Sequence, residues 1–205
     1  MGLITNSDER RISAAIAEAE GTTSGEIVCV IAGESDSYLY APFMWAALIA
    51  LLIPWPFIYL TWWPVQWIYA LQLAVFLVLL AALFPKTVRL KLIPKSLQRT
   101  RAHRRAVEQF LVQNLHTTEG RTGALIFMSV AERYVEILAD KGIHSKVPPG
   151  AWQEIVDRLT QKIAGDRTAD GFVDAIAAVG KLLAEHFPPG SAGPDELPNH
   201  LIVIE

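Results

Sequence analysis

Residues 37–85 read SYLYAPFMWAALIALLIPWPFIYLTWWPVQWIYALQLAVFLVLLAALFP, a run without Asp, Glu, Lys, Arg or His. A helix needs roughly 20 apolar residues to cross about 30 Å of hydrocarbon, and this run holds two such lengths. We expect two spans, about 41–60 and 65–84, joined by a turn at Thr61-Trp62-Trp63-Pro64. Trp45, Trp55, Trp62, Trp63 and Trp67, with Tyr59 and Tyr69, place most of the aromatic amphiphiles near that turn, as an aromatic belt at a membrane interface would. Pro54 and Pro56 predict a kink near the far end of the first helix.

Lys86, Arg89, Lys91, Lys95, Arg99, Arg101, Arg104 and Arg105 follow the run with no acid among them. Positive residues beside a span stay cytoplasmic. An even number of spans then returns the chain to the same compartment, so residues before Asp36 and after Lys86 can build one domain. The expected location is the inner cell membrane, with the soluble domain and both termini cytoplasmic. The surrounding partners are the lipid bilayer and, at the basic segment 86–105, anionic lipid headgroups. Over all 205 residues the formal net charge is -3, so the basic patch is local and nucleic acid is not expected as a partner. Hydrophobic residues make up 52% and charged residues 19%. The mean hydropathy of +0.29 is high for a purely soluble chain.

Outside the run the pattern alternates helix and strand. Asn6-Ser7-Asp8-Glu9 reads as a helix start, with Asn6 as cap and Glu9 as its capping-box partner. Ile12, Ala15, Ile16 and Ala19 recur at helical spacing. Glu26 to Ala32 is a β-branched apolar run that fits a strand buried on both faces. Its Cys29 is the single cysteine, which excludes an intrachain disulfide and a thiolate metal cluster. The opening MGLITNSDERR has no apolar core, so no cleavable signal peptide is expected. Past the basic segment, Val107, Phe110, Leu111, Asn114 and Leu115 trace an amphipathic helix. Residues 124–130 and 134–139 read as antiparallel strands about a tight turn at Ala131-Glu132-Arg133. Two helices follow, one carrying Trp152, Ile155, Val156, Leu159 and Ile163, the other spanning about 168–187. A loop over 191–199 leads to a short edge strand at 201–204.

The resulting organisation is 1–40, the first part of a soluble domain; 41–85, the hairpin; 86–105, the basic segment; 106–190, the rest of the domain; and 191–205, a tail. Set aside the hairpin, and the order is helix, strand, helix, strand, strand, helix, helix. Three stretches carry a family likeness. They are Ser24-Gly25-Glu26-Ile27-Val28; Gly123-Ala124-Leu125-Ile126-Phe127 through Glu132-Arg133-Tyr134-Val135-Glu136-Ile137; and Asp166-Arg167-Thr168-Ala169-Asp170-Gly171. In these the chain resembles the TPM domain family, which includes thylakoid-lumen proteins of photosystem repair. It looks particularly like that family's bacterial membrane proteins, whose transmembrane hairpin interrupts the domain. The resemblance implies an α/β fold, a helix/sheet/helix sandwich on a short mixed sheet. The plant relatives imply a phosphatase activity, although here Ala131 stands where they carry an acidic pair before the arginine.

Two strands joined through a helix run parallel, so the carboxyl ends of the first two strands share an edge, where ligand sites of open α/β sheets gather. That edge should hold Glu34, Ser35 and Asp36 together with Glu132 and Arg133, whereas Asp140 should lie at the opposite one. Asp170, matching the family motif, is placed to reach the first edge. Asp36, Glu132 and Asp170 are hard oxygen donors suited to Ca²⁺ or Mg²⁺, and Arg133 suits a phosphate. Equally, Asp170 fits a helix N-terminus and Glu132-Arg133 a solvated turn. No catalytic residue is assigned beyond Glu132 and Arg133 as candidates. The leading expectation is a membrane-tethered module for interaction with, or assembly and quality control of, other integral membrane proteins. Its rival is a metal-dependent phosphatase.

Overall fold

The computed structural model describes residues 4–118, 120–189 and 200–204. The chain divides into two compact units, one running up to Ser35 and resuming at Arg99, the other Asp36–Gln98. The loop expected over 191–199 lies outside the described residues.

In the first unit, α1 is Asn6–Glu20, and its cap is Thr5. The Thr5 hydroxyl accepts from the Asp8 N–H at 3.2 Å, and the Asp8 carboxylate accepts from the Thr5 N–H at 3.3 Å. The capping box thus sits one residue earlier than the expected Asn6–Glu9 pair, because Thr5 and Asp8 already satisfy both orphan amides. The apolar stripe of α1, Ile12, Ile16 and Ala19, is buried.

β1 (Glu26–Ala32) is buried along its whole length. It pairs in parallel with β2 (Gly123–Ser129) and with β4 (Leu201–Ile204), while β2 pairs antiparallel with β3 (Tyr134–Ala139). The order β3-β2-β1-β4 makes a mixed four-stranded sheet, as the sequence pattern leads one to expect. Period-two alternation splits its side chains. Ile27, Cys29, Ile31, Ala124, Ile126 and Met128 face a core built with α1, α8 (Pro149–Ala164) and α9 (Thr168–His186). Val28, Val30, Leu125 and Phe127 face Ala106 and Phe110 of α6 (Lys95–Val112). Gly180 of α9 exists for a close approach: a Cβ there would lie 2.7 Å from that of Ala19 on α1.

The buried face of α6 differs from the one read in the sequence. Ala102, Ala106 and Gln109 are buried, whereas Val107 is 37% and Leu111 50% exposed. A helix lying close on a sheet has room for alanine at the contact, and the branched side chains rotate outward by about one helical step. Asn114, expected on that helix, takes a left-handed conformation (φ 57°) and ends it, before a single 3-10 turn at Leu115–Thr117. A short helix α7 (Lys141–His144), capped by the Asp140 carboxylate, follows β3. Asp140 also donates its N–H to Gly123 O at 2.9 Å, at the start of β2. It therefore lies at the edge opposite the carboxyl ends of β1 and β2.

The second unit comprises α2 (Tyr40–Leu52), α3 (Pro54–Leu60), α4 (Val65–Leu83) and α5 (Lys86–Lys91), then the first residues of α6. α2 and α3 form one helical stretch, Tyr40–Leu60, and this stretch and α4 are each long and apolar enough to cross a membrane. Ile53 donates to Ala50 O, an i−3 bond, at the join where Pro54 has no N–H to offer. α2 meets α4 through Pro42, Ala46 and Ala50, small or compact residues at four-residue spacing, and Ile68 is buried on α4. The turn closes with the Thr61 hydroxyl donating to Phe57 O at 2.6 Å and with Phe57 and Trp63 rings 5.4 Å apart. Leu51, Leu52, Trp55, Leu60, Leu73 and Val78 all point outward and are exposed.

Candidate functional site

The parallel register sets Ala32 level with Ser129, so the chain leaves β1 beside the turn that leaves β2. Backbone bonds stitch the two together: Val130 N donates to Ala32 O at 3.0 Å and Ala131 N to Gly33 O at 3.1 Å. The turn of Val130 to Arg133 closes through Arg133 N to Val130 O at 3.2 Å, with Arg133 in the left-handed region at φ 51°.

Glu132 is the knot of this edge. One carboxylate oxygen accepts from Ser35 N at 2.9 Å, and the other accepts from the Ser129 hydroxyl, which itself accepts from the Ser35 hydroxyl at 2.8 Å. Ser129 is fully buried. These bonds give Glu132 a structural task independent of any metal. Glu132→Ala should leave the Ser35 amide without its anion and lower stability by about 2–3 kcal/mol, whereas a mere solvated turn would lose under about 0.5 kcal/mol. Urea unfolding of the protein in detergent distinguishes these.

Beside the knot lies a cavity of about 440 Å³. Ile31, Met128 and Val135 form its apolar floor; Thr160, Ile163 and Ala164 of α8 form one wall. Arg133, Asp166 and Thr168 ring its mouth. Asp166 also has left-handed backbone (φ 57°). Arg133 and Asp166, both in that conformation, line the same cavity.

A second, more polar recess of about 400 Å³ shares Asp166 and Thr168 with the first and is lined by Asp8, Arg11 and Asp170. Here Asp170 accepts from the Arg11 guanidinium at 2.7 Å, and Arg11 also lies 3.7 Å from Asp8. The hydrogen bond from Arg11 holds the Asp170 carboxyl below the usual carboxylate range, aided by the charges of Arg11, Lys162 and Arg167 against a smaller desolvation effect. A carboxyl lowered on folding stabilises above its unfolded pKa of about 4 and loses that contribution as pH falls toward the lower folded value. The thermal midpoint of Asp170→Asn should therefore trail wild type at neutral pH and converge with it at strongly acid pH.

Thus Glu132 joins Ser35 and Ser129, and Asp170 joins Arg11 in a neighbouring recess. Asp36 belongs to the other unit, where its carboxylate accepts from Tyr38 N at 3.3 Å. Among the described residues, no three His, Cys, Asp or Glu side chains gather as a metal nest. Sequence reading missed Ser129 as a hub and Arg11 as the partner of Asp170, a pairing across 159 residues. Asp166 and Thr168 stood in the quoted motif, but no local signal marked them as a cavity rim. A further cluster also went unseen: His103 of α6 and the Tyr134 hydroxyl both bond Glu136, at 2.9 and 3.0 Å. Burial, then the Glu136 charge, raises the Tyr134 pKa.

The family model of the TPM domain matches residues 89–182. Its match takes in β2, the Glu132–Arg133 turn, β3 and the opening of α9; α1 and β1 lie before it. No protein of curated function matches the chain. Among solved structures, the NMR structure of the BA42 protein from the psychrophilic bacterium Bizionia argentinensis is similar. It is 21% identical with a TM-score of 0.62, over 98% of this chain and 96% of that one. At that identity the likeness is one of fold.

Proposed function

We propose that this chain, with its TPM domain matched over residues 89–182, is a membrane-tethered module that engages other integral membrane proteins in assembly or quality control. The observation that carries the reading is the outward face of Tyr40–Leu60 and Val65–Leu83. Leu51, Leu52, Leu60, Leu73 and Val78 there are all more than half exposed. A continuous apolar surface of that extent is unfavourable in water and ordinary in lipid. The exposed basic residues of 86–105, among them Lys86, Lys91, Lys95 and Arg99, supply the contact with anionic headgroups and set the soluble unit on the cytoplasmic face, whereas Arg89 is buried. A module fixed to the bilayer meets partners that share the bilayer far more often than solutes, because tethering raises their effective concentration.

The test has two parts. Alkaline carbonate extraction should leave the protein in the membrane pellet, and single-cysteine labelling should find the basic segment on the inner face. A photocrosslinking residue at Arg121, an exposed turn position away from the cavity, and another at Lys181 on α9 should yield adducts with membrane proteins. Extraction into the supernatant, or adducts with soluble proteins alone, would sink the reading.

The second reading, a metal-dependent phosphatase with Arg133 on the phosphate, draws on the cavity that Arg133 and Thr168 line. Either reading accommodates Ca²⁺ or Mg²⁺ as a stabilising ligand. Titration of each ion, followed by tryptophan fluorescence and thermal shift, separates them from a purely structural set of acids. Saturable stabilisation lost in Asp170→Ala supports a metal site, and turnover of a phosphomonoester lost in the same variant supports the enzyme. No response to either ion assigns the acids to structure.

A further inference from the structure

We infer that the free edge of β3 and the cavity at its start together form a docking site for an extended peptide ending in an apolar residue and a free carboxylate. The inference rests on the interaction-module reading above and names the chemistry of the partner. β3 is the outermost strand of the sheet on its side. In an antiparallel pair alternate residues bond inward, and the parity is fixed here by Asp140 N to Gly123 O and by the register Ser129↔Tyr134. Tyr134, Glu136 and Leu138 therefore bond to β2, while the N–H and C=O groups of Val135, Ile137 and Ala139 point away from the sheet. Among the described residues nothing bonds to those outward groups. Natural edges are blunted by lysine, proline, a bulge or a covering element; Tyr134–Ala139 contains no lysine, proline or glycine. Such an edge is a template for an added strand.

The cavity decides what the strand carries and where it stops. Arg133, Tyr134 and Val135, at the beginning of β3, line the cavity, so a peptide running antiparallel to β3 arrives there with its carboxyl end. Arg133, exposed and with no ion pair among the described residues, offers a guanidinium to the terminal carboxylate. The floor of Ile31, Met128 and Val135 takes an apolar last side chain. An acidic last side chain finds no cation on that apolar floor. Ladder bonds supply affinity, the pocket supplies specificity, and the charge selects a chain end.

The experiment uses the full chain in detergent micelles and fluorescence polarisation of fluorescein-Gly-Ser-Thr-Thr-Val-Ile with a free carboxylate, with empty micelles as the blank. The expected result is saturable binding, weakened about tenfold in the C-terminal amide and in a peptide ending in Glu. Arg133→Gln should remove the preference for acid over amide without changing the thermal midpoint. N-methylation of alternate peptide amides should weaken binding about tenfold in one register and leave the other unaffected, a readout that needs no change in the protein. Equal binding of acid and amide, or no saturable binding up to about 1 mM, overturns the inference. So does a doubled mass in solution that blocks the peptide, which would put a second copy of the chain on the edge. If the peptides fail while photocrosslinks from Arg121 and Lys181 to membrane proteins persist, the docking site falls and the module reading stands. If both fail, both fall.

Discussion

Phe172→Ala should lower the stability of the soluble unit by about 3–5 kcal/mol. Phe172 stands in the first turns of α9 with no exposed surface, in the core shared by Ile12 and Ile16 of α1, Leu159 of α8 and Ile126 of β2. Its truncation removes an aromatic ring from the core between these helices and the sheet, and rigid strands on one side limit how far the site can collapse. Against a total of about 5–15 kcal/mol for a domain, that is a large fraction. Urea unfolding in detergent, followed by far-ultraviolet dichroism, gives the measurement, since helices held in the micelle contribute a constant background. Leu111→Ala on α6 is the matched comparison. Leu111 is half exposed, so its truncation should cost under about 0.5 kcal/mol. A loss below about 1 kcal/mol for Phe172, or an equal loss for Leu111, would contradict the packing described here.

That comparison marks where the sequence was readable. β1 was legible because Ile27–Ala32 is apolar throughout, and only a central strand covered on both faces tolerates such a run. The β2–β3 hairpin was legible because a short polar turn separates two β-rich runs, and α8 and α9 because their apolar residues recur at helical spacing. The face of α6 was not. Val107, Phe110 and Leu111 are spaced for one side of a helix, yet Ala106 makes the contact with Val28, Val30 and Phe127, with Phe110 at its margin, while Val107 and Leu111 are exposed. Hydrophobicity marks the larger residues, while close packing on a sheet selects the smaller ones, and a single sequence does not say which prevails. The cap of α1 slipped by one residue for a similar reason: Thr5-x-x-Asp8 and Asn6-x-x-Glu9 are both plausible boxes, and geometry chose the former.

The site was legible as an edge and not as a constellation. Parallel pairing of β1 with β2 follows from the helical crossover, which is enough to place Ser35 beside Glu132. Which acid then bonds which group depends on contacts between residues far apart in the chain, Arg11 with Asp170 and Ser35 with Ser129. The cavity beside Arg133 is hidden for the same reason, because its floor, wall and rim come from β1, β2, β3, α8 and the start of α9. No local pattern encodes a space bounded by five segments. The left-handed backbone at Arg133 and Asp166 is also silent in the sequence, since neither position is glycine.

Leu73→Arg separates a membrane hairpin from an apolar helix pair standing in water. Leu73 lies near the middle of Val65–Leu83 and is 59% exposed. In a bilayer, arginine at a span's centre costs about 2.5–3.5 kcal/mol on the insertion scale, and the lost leucine adds about 0.5 kcal/mol. In water, the same change at an exposed position falls within about 0.5 kcal/mol and improves solubility. The signs of the two expectations are opposite. We expect Leu73→Arg to lower the membrane-inserted fraction several-fold after carbonate extraction and to leave the residual protein prone to degradation. Ala46→Leu supplies the internal comparison, because Ala46 is fully buried on α2 and a larger side chain there forces the helices apart at about 1–3 kcal/mol. A bilayer hairpin suffers from both changes, one through solvation and the other through packing. A soluble pair suffers only from the second. Normal recovery of Leu73→Arg in the soluble fraction, with Ala46→Leu impaired, would therefore reject the membrane reading while leaving the α2–α4 contact intact.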